Sequence, residues 1–126
     1  MSETSFVQVA SELEEAGLVW QPEIGDEVVD KGKPQRISIL VDPNGMTPVE
    51  LRHTYLWLPT VEQMVLQIEV RQAILFHAGL ELAADRMRYK SVIQSQFGAI
   101  EAVAASLRTA VGITLRDLLL TYSPIH

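Results

Sequence analysis

The stretch Tyr55–Met64 places the strongest constraint on the fold, because the character of the chain changes there. Before this stretch, short segments are interrupted by proline and glycine; after it, apolar residues recur with long periodicity. Pro59 disfavours a helical conformation at Leu58, and Thr60 and Gln63 have the spacing of a helical capping box. The sequence therefore predicts that a helix begins here, with its buried face formed by Val61, Met64, Val65 and Ile68.

The composition suits a single domain that spans residues 1–126. The chain is 48% hydrophobic and contains no cysteine, which excludes disulfides, thiol catalysis and thiolate metal sites. Its N-terminal sequence lacks the basic and apolar regions of a signal peptide, and no stretch is apolar over the length of a membrane span. We therefore expect a soluble, cytoplasmic protein without a membrane partner.

Acidic residues are concentrated at the start of the chain. The first thirty residues contain eight acidic residues and no Lys or Arg, within a formal net charge of −6. The rest of the chain is nearly neutral, and its basic residues cluster only at Arg86, Arg88 and Lys90. Binding to nucleic acid requires a basic stripe, so the charge argues against a nucleic-acid partner.

Secondary-structure patterns in the first half predict helices and strands in mixed order. Phe6–Ala16 has helical periodicity and precedes Gly17, a residue that suits a helix C-terminus. Residues 36–41 alternate as a strand with one face well buried and the other partly buried. A short helix is expected after the capping pattern of Thr47, Pro48 and Glu50.

Residues 73–97 permit two interpretations. As helix, the segment continues to Gly79 and restarts; as sheet, Ile74–Phe76 and Leu80–Leu82 are short strands on either side of His77-Ala-Gly79. Residues 88–93 favour a strand, because they are β-branched and aromatic with polar partners. We favour strands for this segment.

The last part of the chain predicts a long closing helix. Apolar residues from Ile100 to Leu119 keep a helical period, with a start near Glu101 or Ser106 and an end near Thr121. Gly112 inside this helix indicates close packing against another backbone. The predicted fold is α+β: a small, mainly antiparallel sheet with N-terminal, central and C-terminal helices packed on it.

Two sets of residues are candidates for a functional site. On a helix, His77, Glu81 and Asp85 would share one face and could ligate a metal ion; on strands, His77 and Glu81 would still share a face. Tyr55 and the two tryptophans, Trp20 and Trp57, could instead contact a ligand or partner. The alternative for the tryptophans is a structural role that holds irregular segments in place.

The catalytic motifs sought in the chain are absent. It contains neither a Gly-x-Ser-x-Gly nucleophile elbow nor a glycine-rich phosphate-binding loop, so we expect no cofactor and consider an enzyme less probable than a binding protein. The pattern Trp20-x-Pro-x-x-Gly-Asp26, followed by Trp57-Leu-Pro-Thr-x-x-Gln63, resembles one in short bacterial and phage-encoded proteins of no known activity. This resemblance implies an α+β arrangement and no particular site.

The sequence thus favours a non-enzymatic interaction or accessory module. Its expected contact region is the acidic first thirty residues or the surface of Trp20 and Trp57. The alternative is a protein that binds a small molecule or metal, possibly an enzyme, centred on His77 and Glu81, with His53 as a further candidate. The apolar stretch at residues 98–105 also predicts a homodimer that buries part of the last helix or a sheet edge.

Overall fold

The computed structural model describes residues 5–84 and 86–122, and these residues form four helices and two antiparallel three-stranded sheets. Sheet A has the strand order β2-β1-β3, and sheet B has the order β4-β5-β6. The α+β class is confirmed, with the strands divided between two sheets instead of one. The helices are α1 (Phe6–Glu15), α2 (Pro48–Thr54), α3 (Val61–Glu69) and α4 (Leu107–Tyr122); the strands are β1 (Glu27–Asp30), β2 (Lys33–Ile39), β3 (Tyr55–Trp57), β4 (Ile74–Ala83), β5 (Arg86–Ser95) and β6 (Gly98–Ala104).

Local capping signals set the helix starts. Thr60 accepts a hydrogen bond from the Gln63 backbone, and the Gln63 side chain accepts one from the Thr60 backbone, so the predicted capping box is present. Thr47 and Glu50 form the same reciprocal pair at α2. At the end of α1, Gly17 has a φ of +109°, which favours glycine and confirms its predicted place after the helix.

Strand β2 corrects the prediction for residues 36–41. The strand covers Lys33–Ile39, and all of its residues are exposed. Ile37 and Ile39, expected on a well-buried face, are each more than half exposed. The physical reason is position: β2 lies at the edge of sheet A, beside β1, whose Val28 and Val29 are both buried.

The segment 73–97 is sheet, as favoured, but its strands are longer than expected. The β4 strand continues through His77-Ala-Gly79 without a break and pairs with β5 along its whole length. An irregularity between Leu75 and His77 places Phe76 as an extra residue. The helical interpretation is therefore wrong, because antiparallel pairing to β5 satisfies the backbone of this segment.

The closing helix begins later than one of its predicted starts. Residues 98–104, including Glu101, form β6, whereas Ser106 accepts a hydrogen bond from the Thr109 backbone at the start of α4. Gly112 packs closely as predicted, but against side chains of α1 and not against a backbone: a Cβ added there would lie 2.8 Å from Val9 Cγ1 and 3.0 Å from Phe6 Cε1. No helix in the described ranges is both long and apolar enough to cross a membrane.

Apolar side chains form a main core between α1, α3, α4 and the inner face of sheet B. Two smaller clusters lie on opposite faces of sheet A, one around Val29 and one around Val28. Both faces of the central strand β1 are therefore covered, while the edge strand β2 is not. The main core consists of Val9, Leu13, Leu18, Met64, Ile68, Ala73, Ile93, Val111, Leu115, Leu118 and Leu119.

Candidate functional site

Trp20 has a structural role. Its side chain is buried, and its indole N–H donates a 2.8 Å hydrogen bond to Asp26 Oδ2. Asp26 is itself buried and also accepts hydrogen bonds from the Glu23 backbone and from Gln63 Nε2. Trp20 thus closes the loop before β1, and its ring is not available to a partner on the surface.

Trp57 and Tyr55 are half-buried on β3, and each of them lines a different cleft. Trp57 lines a small cleft together with Gln63 and Gln67, and its buried indole N–H has no hydrogen-bond partner among the described residues. Tyr55 pairs with Asp30 across β1 and β3 and lines a separate cleft. Tyr55 and Trp57 both pack against the buried cluster that contains Trp20, so the structure brings the three aromatic residues together in the core and not on one open surface.

The histidine candidates do not meet at a metal site. His77 and Glu81 share the outer face of β4, but four residues of extended strand separate their Cα atoms by about 13 Å. Glu81 Oε2 lies 3.7 Å from Lys90 Nζ, and a hydrogen bond and charge from Glu101, followed by the charge of Glu81, raise the pKa of Lys90. Asp85 lies outside the described residues.

Within residues 5–84 and 86–122, no group of three potential metal ligands comes together. His53 is exposed in the last turn of α2. The metal-binding hypothesis has no preformed site in this part of the molecule and stays a prediction.

A cleft lies between α1 and sheet A. Its volume is about 460 Å³, and its apolar floor is formed by Val7, Val29 and Leu56. Glu14 of α1 and Lys31, just after β1, stand at the rim with their charged atoms 3.1 Å apart. The cleft exists because α1 covers β1 and β3 but leaves the side of the sheet towards β2 open.

A second cleft lies on the opposite face of sheet A. It has a volume of about 350 Å³ and is lined by Lys33, Arg36, Ile37 and Ser38 of β2, together with Asp30 and Tyr55. Neither Lys33 nor Arg36 forms an ion pair with a described residue. This cleft therefore presents two free positive charges beside the strand edge.

Strand β2 separates the two clefts and has one unpaired edge. It pairs with β1 through the register Val28 to Ser38 and Val29 to Ile37, and no described strand pairs with its other side. Ile37 therefore shares the face of Val29, towards α1, and Ser38 shares the face of Val28. Within β2, Pro34 lines the cleft beside α1, whereas Lys33, Arg36, Ile37 and Ser38 line the second cleft.

No protein-family model, curated protein or solved structure matches this chain. The resemblance to short bacterial and phage-encoded proteins accordingly stays a prediction. Any function must be argued from the geometry of the clefts and strand edges themselves.

Sequence reasoning did not place β2 at the edge of sheet A, although a signal was present. Ile37 and Ile39 alternate with polar residues, and this pattern alone predicts a buried face. Lys33 and Pro34 at the start of the same strand are typical of an edge strand, where an extra partner is discouraged and a missing N–H is tolerated. Giving weight to these two residues would have located the strand at the sheet edge.

Proposed function

We propose that this protein is a non-enzymatic interaction module that binds an extended segment of a partner protein along the free edge of β2. One observation carries the proposal: the unpaired edge of β2 has a cleft on each of its two faces. Peptide recognition by strand addition uses this combination, because main-chain hydrogen bonds give affinity and alternate pockets give specificity.

The backbone of β2 supplies the first part of the interaction. In a strand, the N–H and C=O groups of alternate residues point to opposite sides, so alternate groups in residues 35–39 point away from β1, and Lys33 and Pro34, which discourage a further strand, lie outside this run. These groups are bonded to water in the free protein. An added strand replaces that water with a hydrogen-bonded ladder and extends sheet A from three strands to four.

The side chains of the added strand meet two different environments. One alternate set faces the α1 side, where Val7, Ile37 and Ile39 offer apolar surface, so apolar side chains are preferred there. The other set faces Lys33 and Arg36, so an acidic side chain is preferred. The expected partner segment therefore alternates apolar residues with polar residues that include an acid.

The acidic first thirty residues contribute through α1. Glu14 is already paired with Lys31 at the cleft rim, and Glu12 is paired with Arg116 of α4. Glu15 is exposed and forms no hydrogen bond or ion pair with a described residue. A basic residue flanking the partner segment is complementary to Glu15, and high salt is expected to weaken this outer contribution.

The alternative, a small-molecule or metal-binding protein centred on His77 and Glu81, has less support. The separation of the two residues along β4 and the ion pair of Glu81 with Lys90 give no common coordination point. Elemental analysis of purified protein, with His77→Ala as the control, tests this alternative directly.

A peptide-display selection tests the proposed function. Random peptides selected on the whole protein should converge on alternating apolar residues. Ile37→Lys should weaken binding of the selected peptides at least tenfold, because it replaces an exposed apolar side chain of β2 with a charge. Val49→Lys is the matched control, since Val49 is 58% exposed, Ile37 is 56% exposed, and Val49 lines neither cleft.

Backbone methylation of a selected peptide separates strand addition from simple groove packing. Methylating the amide nitrogens one at a time should abolish binding at every second position, where the N–H points towards β2. Equal losses of peptide affinity after methylation at consecutive positions would count against the proposal. Unchanged peptide affinity in Ile37→Lys would also count against it. Failure to select any peptide at micromolar concentration would also reject it.

A further inference from the structure

Within the described residues, a second strand edge, that of β4, lacks the lysine, proline and covering strand that normally prevent association, and its one irregularity lies near its start, at Phe76. The strand is ten residues long, and its sequence ILFHAGLELA contains no Lys, Arg or Pro. It pairs only with β5 among the described strands. Natural proteins protect edges of this length with lysine, proline or a covering segment, so an open apolar edge indicates a site of strand pairing.

The hairpin of β4 and β5 also carries apolar side chains that its own helix does not cover. Ser91 and Ile93 face α4 and are buried. Leu80, Leu82 and Met87 lie on the same face by register, yet they are 52%, 68% and 54% exposed. The covering helix therefore ends short of the hairpin tip, and the tip projects as an apolar overhang.

We propose that a second copy of this chain pairs with the β4 edge, antiparallel and centred on Gly79. In a two-fold arrangement about Gly79, His77 lies opposite Glu81 of the second copy, and Glu81 lies opposite its His77. The imidazole can donate a hydrogen bond to the carboxylate at both symmetric positions. The edge is therefore self-complementary, which is what an isologous homodimer requires.

Neighbouring registers lack this complementarity. A two-fold axis centred on Ala78 would place Glu81 opposite Leu75 of the second copy. An axis centred on Leu80 would place Glu81 opposite Gly79 of the second copy. Gly79 suits the centre because it has no side chain, so the two strands meet there without obstruction. The irregularity at Phe76 limits the regular ladder to residues 77–81.

The area that this edge and the apolar overhang can bury is close to the area buried in a stable interface. A two-fold axis normal to the sheet keeps both α4 helices on one side and brings the apolar overhang of each copy towards the helical layer of the other. The exposed parts of Ile74, Phe76, Leu80, Leu82 and Met87 amount to several hundred Å² per chain, against about 800 Å² per partner in a typical complex. The backbone of the paired strands supplies the remainder.

Single-cysteine variants test this arrangement, because the chain contains no native cysteine. Gly79→Cys places the thiol opposite its own copy, within the Cα separation of about 4.5–5.5 Å that a disulfide can bridge. A Cβ at this position meets His77 at 3.7 Å, an ordinary contact, so the variant should fold. Ala99→Cys, exposed on the opposite edge strand β6, is the control.

We expect mild oxidation to convert Gly79→Cys to a covalent dimer at least tenfold faster than Ala99→Cys. A mixture of Ala78→Cys and Leu80→Cys should cross-link between the two variants, whereas neither should cross-link efficiently alone. Light scattering of the unmodified protein should give twice the monomer mass of 14.0 kDa, and Leu82→Lys should raise the dissociation constant at least tenfold. Val49→Lys should leave the dimer unchanged.

A monomer at high micromolar concentration would overturn the proposal. Preferential cross-linking of Ala99→Cys would also overturn it, because the contact would then lie at β6. Self-linking of Leu80→Cys in place of Gly79→Cys would overturn it as well, because that register excludes the pairing of His77 with Glu81. Because β4 and β2 belong to different sheets, these outcomes are independent of peptide binding at β2.

Discussion

The guanidinium of Arg108 lies 2.7 Å from the carboxylate of Glu27 and joins the first turn of α4 to the first residue of β1. The same guanidinium donates hydrogen bonds to the carbonyl oxygens of Leu58 and Pro59 and stands 4.4 Å from the centre of the Phe6 ring. One side chain therefore connects α4 with sheet A, with the β3–α3 connection and with α1. This contact fixes the scaffold that supports the β2 clefts.

Arg108→Ala should destabilise the protein by about 3 kcal/mol, because it leaves Glu27 and two backbone carbonyls without their charged donor. Arg116→Ala is the control: Arg116 has similar exposure and pairs with Glu12 and Asp117, but it binds no backbone carbonyl of another segment. Arg116→Ala should lower the free energy of unfolding by about 1 kcal/mol. Urea denaturation of the three proteins measures the difference, and equal losses would show that Arg108 acts as an ordinary surface charge.

Asp26→Ala should cost about 3 kcal/mol, because it leaves the buried indole N–H of Trp20 without an acceptor. The variant also removes the acceptor of Gln63, which links α3 to this loop. Asp30→Ala should cost less than about 1 kcal/mol, since Asp30 accepts only from the exposed Gly32 backbone. Thermal unfolding followed by tryptophan fluorescence distinguishes the two variants, and similar midpoints would contradict the structural role of Trp20.

Gly112→Ala should destabilise the protein by about 1–3 kcal/mol, although alanine favours a helix by about 1 kcal/mol over glycine. The reason is the 2.8 Å approach between the added Cβ and Val9 Cγ1. Combining Gly112→Ala with Val9→Ala should cost less than the sum of the two single changes, because the second change removes the clash. Additive effects in chemical denaturation would show that α1 and α4 do not meet closely at this point.

Ser91 and Thr114 form a buried hydroxyl pair, 2.9 Å apart, between β5 and α4. Thr114→Val should cost about 1–3 kcal/mol, because Ser91 then has no partner in the core. The double variant Ser91→Ala with Thr114→Val should recover most of this loss. A double-mutant cycle without coupling would mean that the two hydroxyls do not interact in solution.

Local signals predicted the helix boundaries well. Thr47, Thr60 and Ser5 each cap a helix as the sequence indicates, because a cap depends on residues three positions apart. The close packing at Gly112 was also predicted, since a glycine inside a helix needs a packing reason. These features are decided by short-range chemistry, which the sequence shows directly.

Features that depend on which strands become neighbours were not predicted. Ile37 and Ile39 have the alternation of a half-buried strand, but the position of β2 at the edge of sheet A leaves them exposed. Residues 98–104 have both helical and strand character, and pairing with β5 selects the strand. In both cases contacts with other strands decide the exposure or the secondary structure of the segment. Periodicity in the sequence does not contain that information.

The candidate site was predicted only in part. Trp20 was considered for both roles, and its hydrogen bond to Asp26 assigns it the structural one. The β2 clefts combine Val7 from α1, Val29 from β1 and Leu56 from β3, residues far apart in sequence. No motif marks such a set, because its members share only a location in the folded chain.

Hydrogen exchange of the β2 amides, with and without a selected peptide, tests the central claim most directly. In the free protein, the amides of residues 35–39 that point away from β1 should exchange rapidly. Binding should slow them at least tenfold at every second residue and leave the amides already paired with β1 little changed. Protection of another surface, with the β2 amides still exchanging as in the free protein, would contradict strand addition at this edge.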